Sequence, residues 1–153
     1  MTTVEDIRQI DLFDSLDDGA LESIAAFSTI KEFADGDVIL AENDGKGLVI
    51  RDLYLLMDGS VRIQKHPQGF FPLKAIDIQA IDNEVYGEIG WLLGSKPSAE
   101  VTSSGSSRML VVNGIKLFDL CDRDTNVGYN ILFRLSAILA MRLVNQTSAN
   151  FAS

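Results

Sequence analysis

The apolar positions of this chain change period twice. Between Val4 and Phe27 they recur at helical steps, first Val4, Ile7 and Ile10, then Leu21, Ile24, Ala25 and Phe27. Thr3 and Asp17 precede these runs and are suited to cap them, because a side-chain oxygen at that place accepts a first-turn amide. From about residue 29 the runs shorten to β-prone stretches: Lys31-Glu32-Phe33, Val38-Ile39-Leu40, Leu53-Tyr54-Leu55-Leu56 and Val61-Arg62-Ile63. Between them stand Asp35-Gly36-Asp37, Asn43-Asp44-Gly45-Lys46-Gly47 and Asp58-Gly59-Ser60, residue types that turn the chain through positive φ or by bonding their own backbone. A tip at His66-Pro67-Gln68-Gly69 and strands over Leu73 to Ile81, Ala99 to Thr102 and Arg108 to Val112 continue the series. After Asn113 helical spacing returns, in a short helix over 114–122 with Leu117, Phe118, Leu120 and Cys121, and a long one over 125–146.

Close-set short strands between helical ends predict an α+β fold. It is a β-roll, jelly-roll-like with two layers of strands, flanked by N-terminal helices and by a C-terminal short helix plus long helix. A single domain spanning 1–153 is expected, with N-terminal helices in 1–28, the roll in 29–112 and the C-terminal helices in 114–146. The long helix has apolar residues round most of its circumference, with Asn126, Asn130, Arg134, Ser136, Arg142 and Asn145 as polar relief. One stripe can be hidden on the chain's own domain. A second stripe needs another surface, and a homodimer through Leu132, Leu135, Leu139 and Leu143 is the expectation.

Composition narrows the chemistry. With 153 residues, 46% of them hydrophobic, the chain can bury one real core. No run of eighteen apolar residues occurs, so neither a membrane span nor a membrane partner is expected, and the reading is cytoplasmic. One cysteine, Cys121, and one histidine, His66, leave no usual metal set. The net charge of −9 sits in the N-terminal third, where residues 1–50 hold twelve acids and three bases. That field repels nucleic acid, and with no basic cluster, DNA or RNA binding is not expected.

Helices, a roll, then a short and a long helix is the order found in the CRP/Fnr-type cyclic nucleotide-binding domain, and the sequence resembles that family in detail. Leu53-Tyr54-Leu55-Leu56-Met57-Asp58-Gly59-Ser60-Val61-Arg62-Ile63 is similar to its hairpin in which a glycine makes the turn. Tyr86-Gly87-Glu88-Ile89-Gly90-Trp91-Leu92 is similar to the opening of its phosphate-binding cassette, placed here in 86–101. Lys116 to Cys121 and Leu135 to Leu143 match its C-terminal helices. The resemblance covers roughly residues 11 to 145. It implies a non-catalytic sensor that takes cAMP or cGMP with Tyr86, Gly87, Glu88, Ile89, Lys96, Ser98 and Ala99. In that picture first-turn amides meet the phosphate, Gly87 permits close approach, and Glu88 accepts the ribose 2′-hydroxyl.

The departures matter as much. Counting without a gap from Gly87-Glu88, the family's phosphate-pairing arginine falls on Pro97. Lys96, one residue earlier, is the nearest cation, and an ammonium cannot reproduce a guanidinium fork. Glu100 replaces a small hydroxyl residue and is expected to point to solvent; Ser98 follows the arginine position, where a hydroxyl can reach a guanine edge. Trp91 is expected in the core, His66 in an exposed loop, and Phe70 and Phe71 either close a hairpin onto the roll or meet a partner. No cofactor is expected. Nucleotide binding that is weak, if it occurs at all, is one expectation, and a degenerate dimeric scaffold that binds protein and no nucleotide is the alternative. A cupin-like enzyme would need clustered histidines, and a CRP-type transcription factor would need a helix-turn-helix beyond the few residues that follow Val144.

Overall fold

The computed structural model describes residues 1–41, 51–65, 76–79, 85–94 and 99–151. It opens with α1 (Val4–Arg8), a 3-10 turn at Asp11–Phe13, and α2 (Asp18–Ala26). Both expected caps are formed. Thr3 Oγ1 accepts from the Asp6 amide while Asp6 reaches back to the Thr3 amide, a reciprocal box that also lowers the Asp6 carboxyl pKa. Asp17 accepts from the Ala20 amide at 2.9 Å.

Six strands follow in an antiparallel network: β1 (Ser28–Phe33), β2 (Val38–Leu40), β3 (Leu53–Lys65), β4 (Ile76–Gln79), β5 (Val85–Tyr86) and β6 (Glu100–Val112). The order is β1-β6-β3-β4, with β2 on β6 and β5 on β3. The helix α3 (Glu88–Leu93) lies between β5 and β6, and α4 (Gly114–Arg123) and α5 (Thr125–Phe151) complete the chain. Asn113 caps α4 by accepting from the Lys116 amide at 3.1 Å.

The long strands β3 and β6 are paired from Leu53 opposite Val112 to Gln64 opposite Glu100. Because successive strand side chains point to opposite faces, each strand serves two clusters. Leu53, Leu55, Leu110 and Val112 join the helices in one. Tyr54, Val61, Val101, Met109 and Val111 join Ile39, Leu40 and Tyr86 in the other, inside the roll.

Two expectations are corrected here. Asp58-Gly59-Ser60 does not turn a hairpin: β3 runs straight through it, and the register against β6 shifts on either side of Asp58. Gly59 has φ +98°, and a Cβ there would lie 2.4 Å from the Ser106 carbonyl oxygen, so the glycine makes a bulge pressed against β6. Likewise, the expected strands at 99–102 and 108–112 are one strand, β6, which begins at Glu100 and whose Gly105 at φ +75° carries the irregularity that divides the sequence pattern. The long helix runs to Phe151 rather than 146. The segment 43–47, the tip at 66–69, Phe70 and Phe71 lie outside the described residues.

Over Thr125–Asn145 α5 is long and apolar enough, at mean hydropathy 1.4, to suit a membrane by composition, which the sequence reading did not foresee. In the fold its Val127, Ile131 and Leu135 are instead buried in the helical cluster.

Candidate functional site

The cassette-like segment is held from three directions. β5 places it by pairing Val85 with Leu55 and Tyr86 with Tyr54. At Gly87 the chain turns through φ +85° into α3, and a Cβ at this position would meet the Asp52 carbonyl oxygen at 2.7 Å. Glycine is therefore required by the chain's own backbone before any ligand is considered. Gly94 ends α3 in the left-handed region, its amide donating to the Gly90 carbonyl.

Trp91 fastens the other side. It is 1% exposed, as expected of a core residue. Its indole Nε1 donates to the Gly114 carbonyl at 2.8 Å, and its ring stacks on Phe118 at 4.5 Å between centroids. The Gly114 amide in turn donates to the Asp52 carboxylate at 3.3 Å. A Cβ on Gly114 would fall 1.6 Å from the Arg51 carbonyl oxygen, so only glycine lets β3, α3 and α4 meet there.

Inward of this lies Tyr86, buried with Leu40, Tyr54 and Val101 at the edge of the roll cluster. Burial, and then the nearby Asp52, push the Tyr54 hydroxyl pKa up. Glu88, first residue of α3, is not open to solvent: its side chain is 12% exposed and forms an ion pair with Arg142 of α5 at 2.9 Å. The same guanidinium donates to the Val85 carbonyl and stands 5.7 Å from the centre of the Tyr86 ring. Arg142 was not among the sequence-expected site residues. The signal that could have found it is positional: buried Val127, Ile131 and Leu135 step along α5 by four, and Ile138 or Leu139 and then Arg142 continue that inward stripe.

The whole arrangement can be set beside known structures. No protein-family model matches the sequence, and no curated protein matches it. Solved structures do. A candidate cyclic nucleotide-binding protein of Geobacter metallireducens GS-15 superimposes with a TM-score of 0.74 at 22% identity, covering 94% of this chain and 99% of the other. A cyclic nucleotide-binding domain of Methylobacillus flagellatus KT gives 0.73 at 20% identity, over 95% and 79%. The regulatory domain of Toxoplasma gondii PKA, solved with cAMP, gives 0.65 at 17% identity, over 90% of this chain and 48% of that one. The fold is that of a cyclic nucleotide-binding domain.

Within this cyclic nucleotide-binding fold, Tyr86, Gly87, Glu88 and Ile89 form a contiguous turn from β5 into α3, and Ala99 is a half-buried residue just ahead of β6. Lys96 and Ser98, with Pro97 between them, lie outside the described residues. Glu100 is half-buried at the start of β6, opposite Gln64, rather than fully in solvent.

The expected dimer quartet on α5 divides. Leu135 is 1% exposed and belongs to the chain's own core, so it cannot also serve a second copy, and Leu139 packs partly against that core. Leu132 and Leu143 face outward, accompanied by Tyr129, Phe133, Met141 and Val144. The expected seam through these four leucines crosses from one face to the other because helical spacing does not say which stripe the domain claims. Cys121 is buried where α4 meets α5, its thiol pushed up to about 11 by burial and by Asp122.

Proposed function

We infer that this chain is a non-catalytic regulatory module that takes a cyclic nucleotide, cAMP or cGMP, weakly in its roll. The observation that carries the reading is the Tyr86-Gly87-Glu88 turn, set by β5 against the roll cluster at the place where α3 begins. Structures named for cyclic nucleotide binding share this fold, and the Toxoplasma regulatory domain was solved with cAMP. Weakness follows from two features. The position expected to hold a phosphate-pairing arginine is Pro97 in the sequence, and Glu88 already has a cationic partner.

Isothermal calorimetry tests this directly. The wild type is expected to bind cAMP and cGMP weakly or not at all, and the double change Lys96→Pro, Pro97→Arg to improve affinity roughly ten- to two-hundred-fold, the worth of a charge-assisted hydrogen bond of about 1.5–3 kcal/mol. Tight binding by the wild type, or no gain in the double variant, counts against the reading.

A second reading, a dimeric scaffold that binds protein, is favoured by the outward apolar face of α5. Phe133 is 62% and Leu143 65% exposed, and Tyr129 packs beside Phe133 with ring centres 5.9 Å apart. Light scattering at tens of micromolar (about −6 to −7 kcal/mol of association) should find a dimer for the wild type and a monomer for Phe133→Glu. A monomeric wild type removes this reading.

A further inference from the structure

The two halves of α5 are attached by different means. Up to Leu135 the helix is fixed by buried apolar side chains, and Arg134 adds contacts to the Asp11 carbonyl at 3.2 Å and to Asp14 at 3.5 Å. After Leu135 no described side chain of α5 is fully buried; Ile138 and Leu139 are half-buried, and Met141, Leu143 and Val144 face outward. On this outer half Arg142 ends the inward stripe. Its guanidinium is 24% exposed and the Glu88 carboxylate that it meets 12%. It donates to that carboxylate, donates to the Val85 carbonyl, and lies over Tyr86. All three contacts fall on the four residues Val85 to Glu88. Partly buried charge-assisted contacts of this kind are stronger than exposed ones, because water competes less for the groups.

We propose that Arg142 is a latch: it holds the outer half of α5 down on the β5–α3 turn and withholds the Glu88 carboxylate from a ligand until the helix lets go. The carboxylate can accept a hydrogen bond from a ligand's sugar hydroxyl or hold the guanidinium at Oε1 in its present geometry, and an acceptor already engaged by a cation is weaker toward a second donor. A ligand whose sugar offers a free hydroxyl, and which brings no cation of its own, would then free the outer half of α5 along with its apolar face. The ligand-facing part of this proposal rests on the nucleotide reading given above; the latch itself does not.

Native-state hydrogen exchange on the full chain separates the two. In Arg142→Gln the amides of residues 139–145 should exchange roughly ten- to hundredfold faster, the range expected for losing one charge-assisted contact, while 127–135 stay unchanged. Glu88→Gln should produce the same local pattern, and adding it to Arg142→Gln should produce little more, since both remove one pair. Arg142→Lys, which keeps the charge without the fork, should fall between. Unchanged exchange at 139–145 in both single variants, or faster exchange spread over the whole chain, overturns the latch. Calorimetry with cAMP then addresses the withholding. Tighter binding by Arg142→Gln supports it, and weaker binding overturns it by making Arg142 a ligand contact. If neither protein binds cAMP, the nucleotide reading fails, and the exchange result alone still decides the latch.

Discussion

The two faces of β3 and β6 lead different lives. On one face, Leu53, Leu55, Leu110 and Val112 sit under helices from both ends of the chain, in a cluster of nineteen buried residues among those described. On the other, Tyr54, Met109 and Val111 look into the roll, where the corresponding cluster has eight of the described residues, two of them tyrosines. The same backbone supports both, so strand propensity cannot account for the difference. What differs is the covering. Among the described residues, helices from both ends of the chain pack on the first face, and short strands and the Tyr86 that precedes the Glu88 turn line the second.

That contrast predicts an ordering of stability. Trp91→Ala should have the largest effect, about 3–5 kcal/mol by urea denaturation, since it empties a fully buried indole site. Met109→Ala removes a fully buried residue on the roll face and should cost about 2–3 kcal/mol, less than Trp91→Ala because a smaller side chain is removed. Equal costs, or a reversed order, would break the comparison. If the faces are separate cores, the double variant should cost close to the sum. A large coupling would mean that the strands transmit packing from one face to the other.

The smallest expected effect comes from Cys121, on the helix side. Its thiol stays protonated in the folded chain to about pH 11, whereas an unfolded cysteine ionises near about 8.5. Between those values only the unfolded chain releases the proton, so stability from this group is complete below about pH 8.5 and is lost as pH rises toward 11. Iodoacetamide at pH 8.5 should alkylate the folded chain roughly a hundredfold more slowly than the urea-unfolded chain, following thiolate fraction. Comparable rates would show that the helical face opens more readily than its burial suggests.

Much of this was legible in the sequence for local reasons. The caps at Thr3 and Asp17, or the alternation of Leu53, Tyr54 and Leu55, depend on neighbours within a few residues. Trp91 could be placed in the core because a tryptophan in such a helix is more often core than ligand-stacking. Gly59 was misread because a glycine with positive φ serves a turn and a bulge equally well, and only the partner strand distinguishes them. Position was also the limit on α5, where periodicity marks stripes without saying which one the domain takes. The Arg142–Glu88 pair spans 54 residues with no shared motif. A contact of that range is written in topology, and the sequence shows only that an arginine occupies an inward step.

One further consequence concerns time. β6 is the strand on which β1, β2 and β3 all pair, and it is the last strand to be made. While the chain is being synthesised, β1 has its backbone groups ready some seventy residues before Ser107 to Val112 exist to receive them. At ordinary rates of translation that is a wait of about 4–15 s, long compared with the microseconds in which a helix forms. β3 can pair with β4 and β5 as the chain emerges, but β1 and β2 cannot join the sheet until β6 is made. The sheet closes late, when its hub arrives.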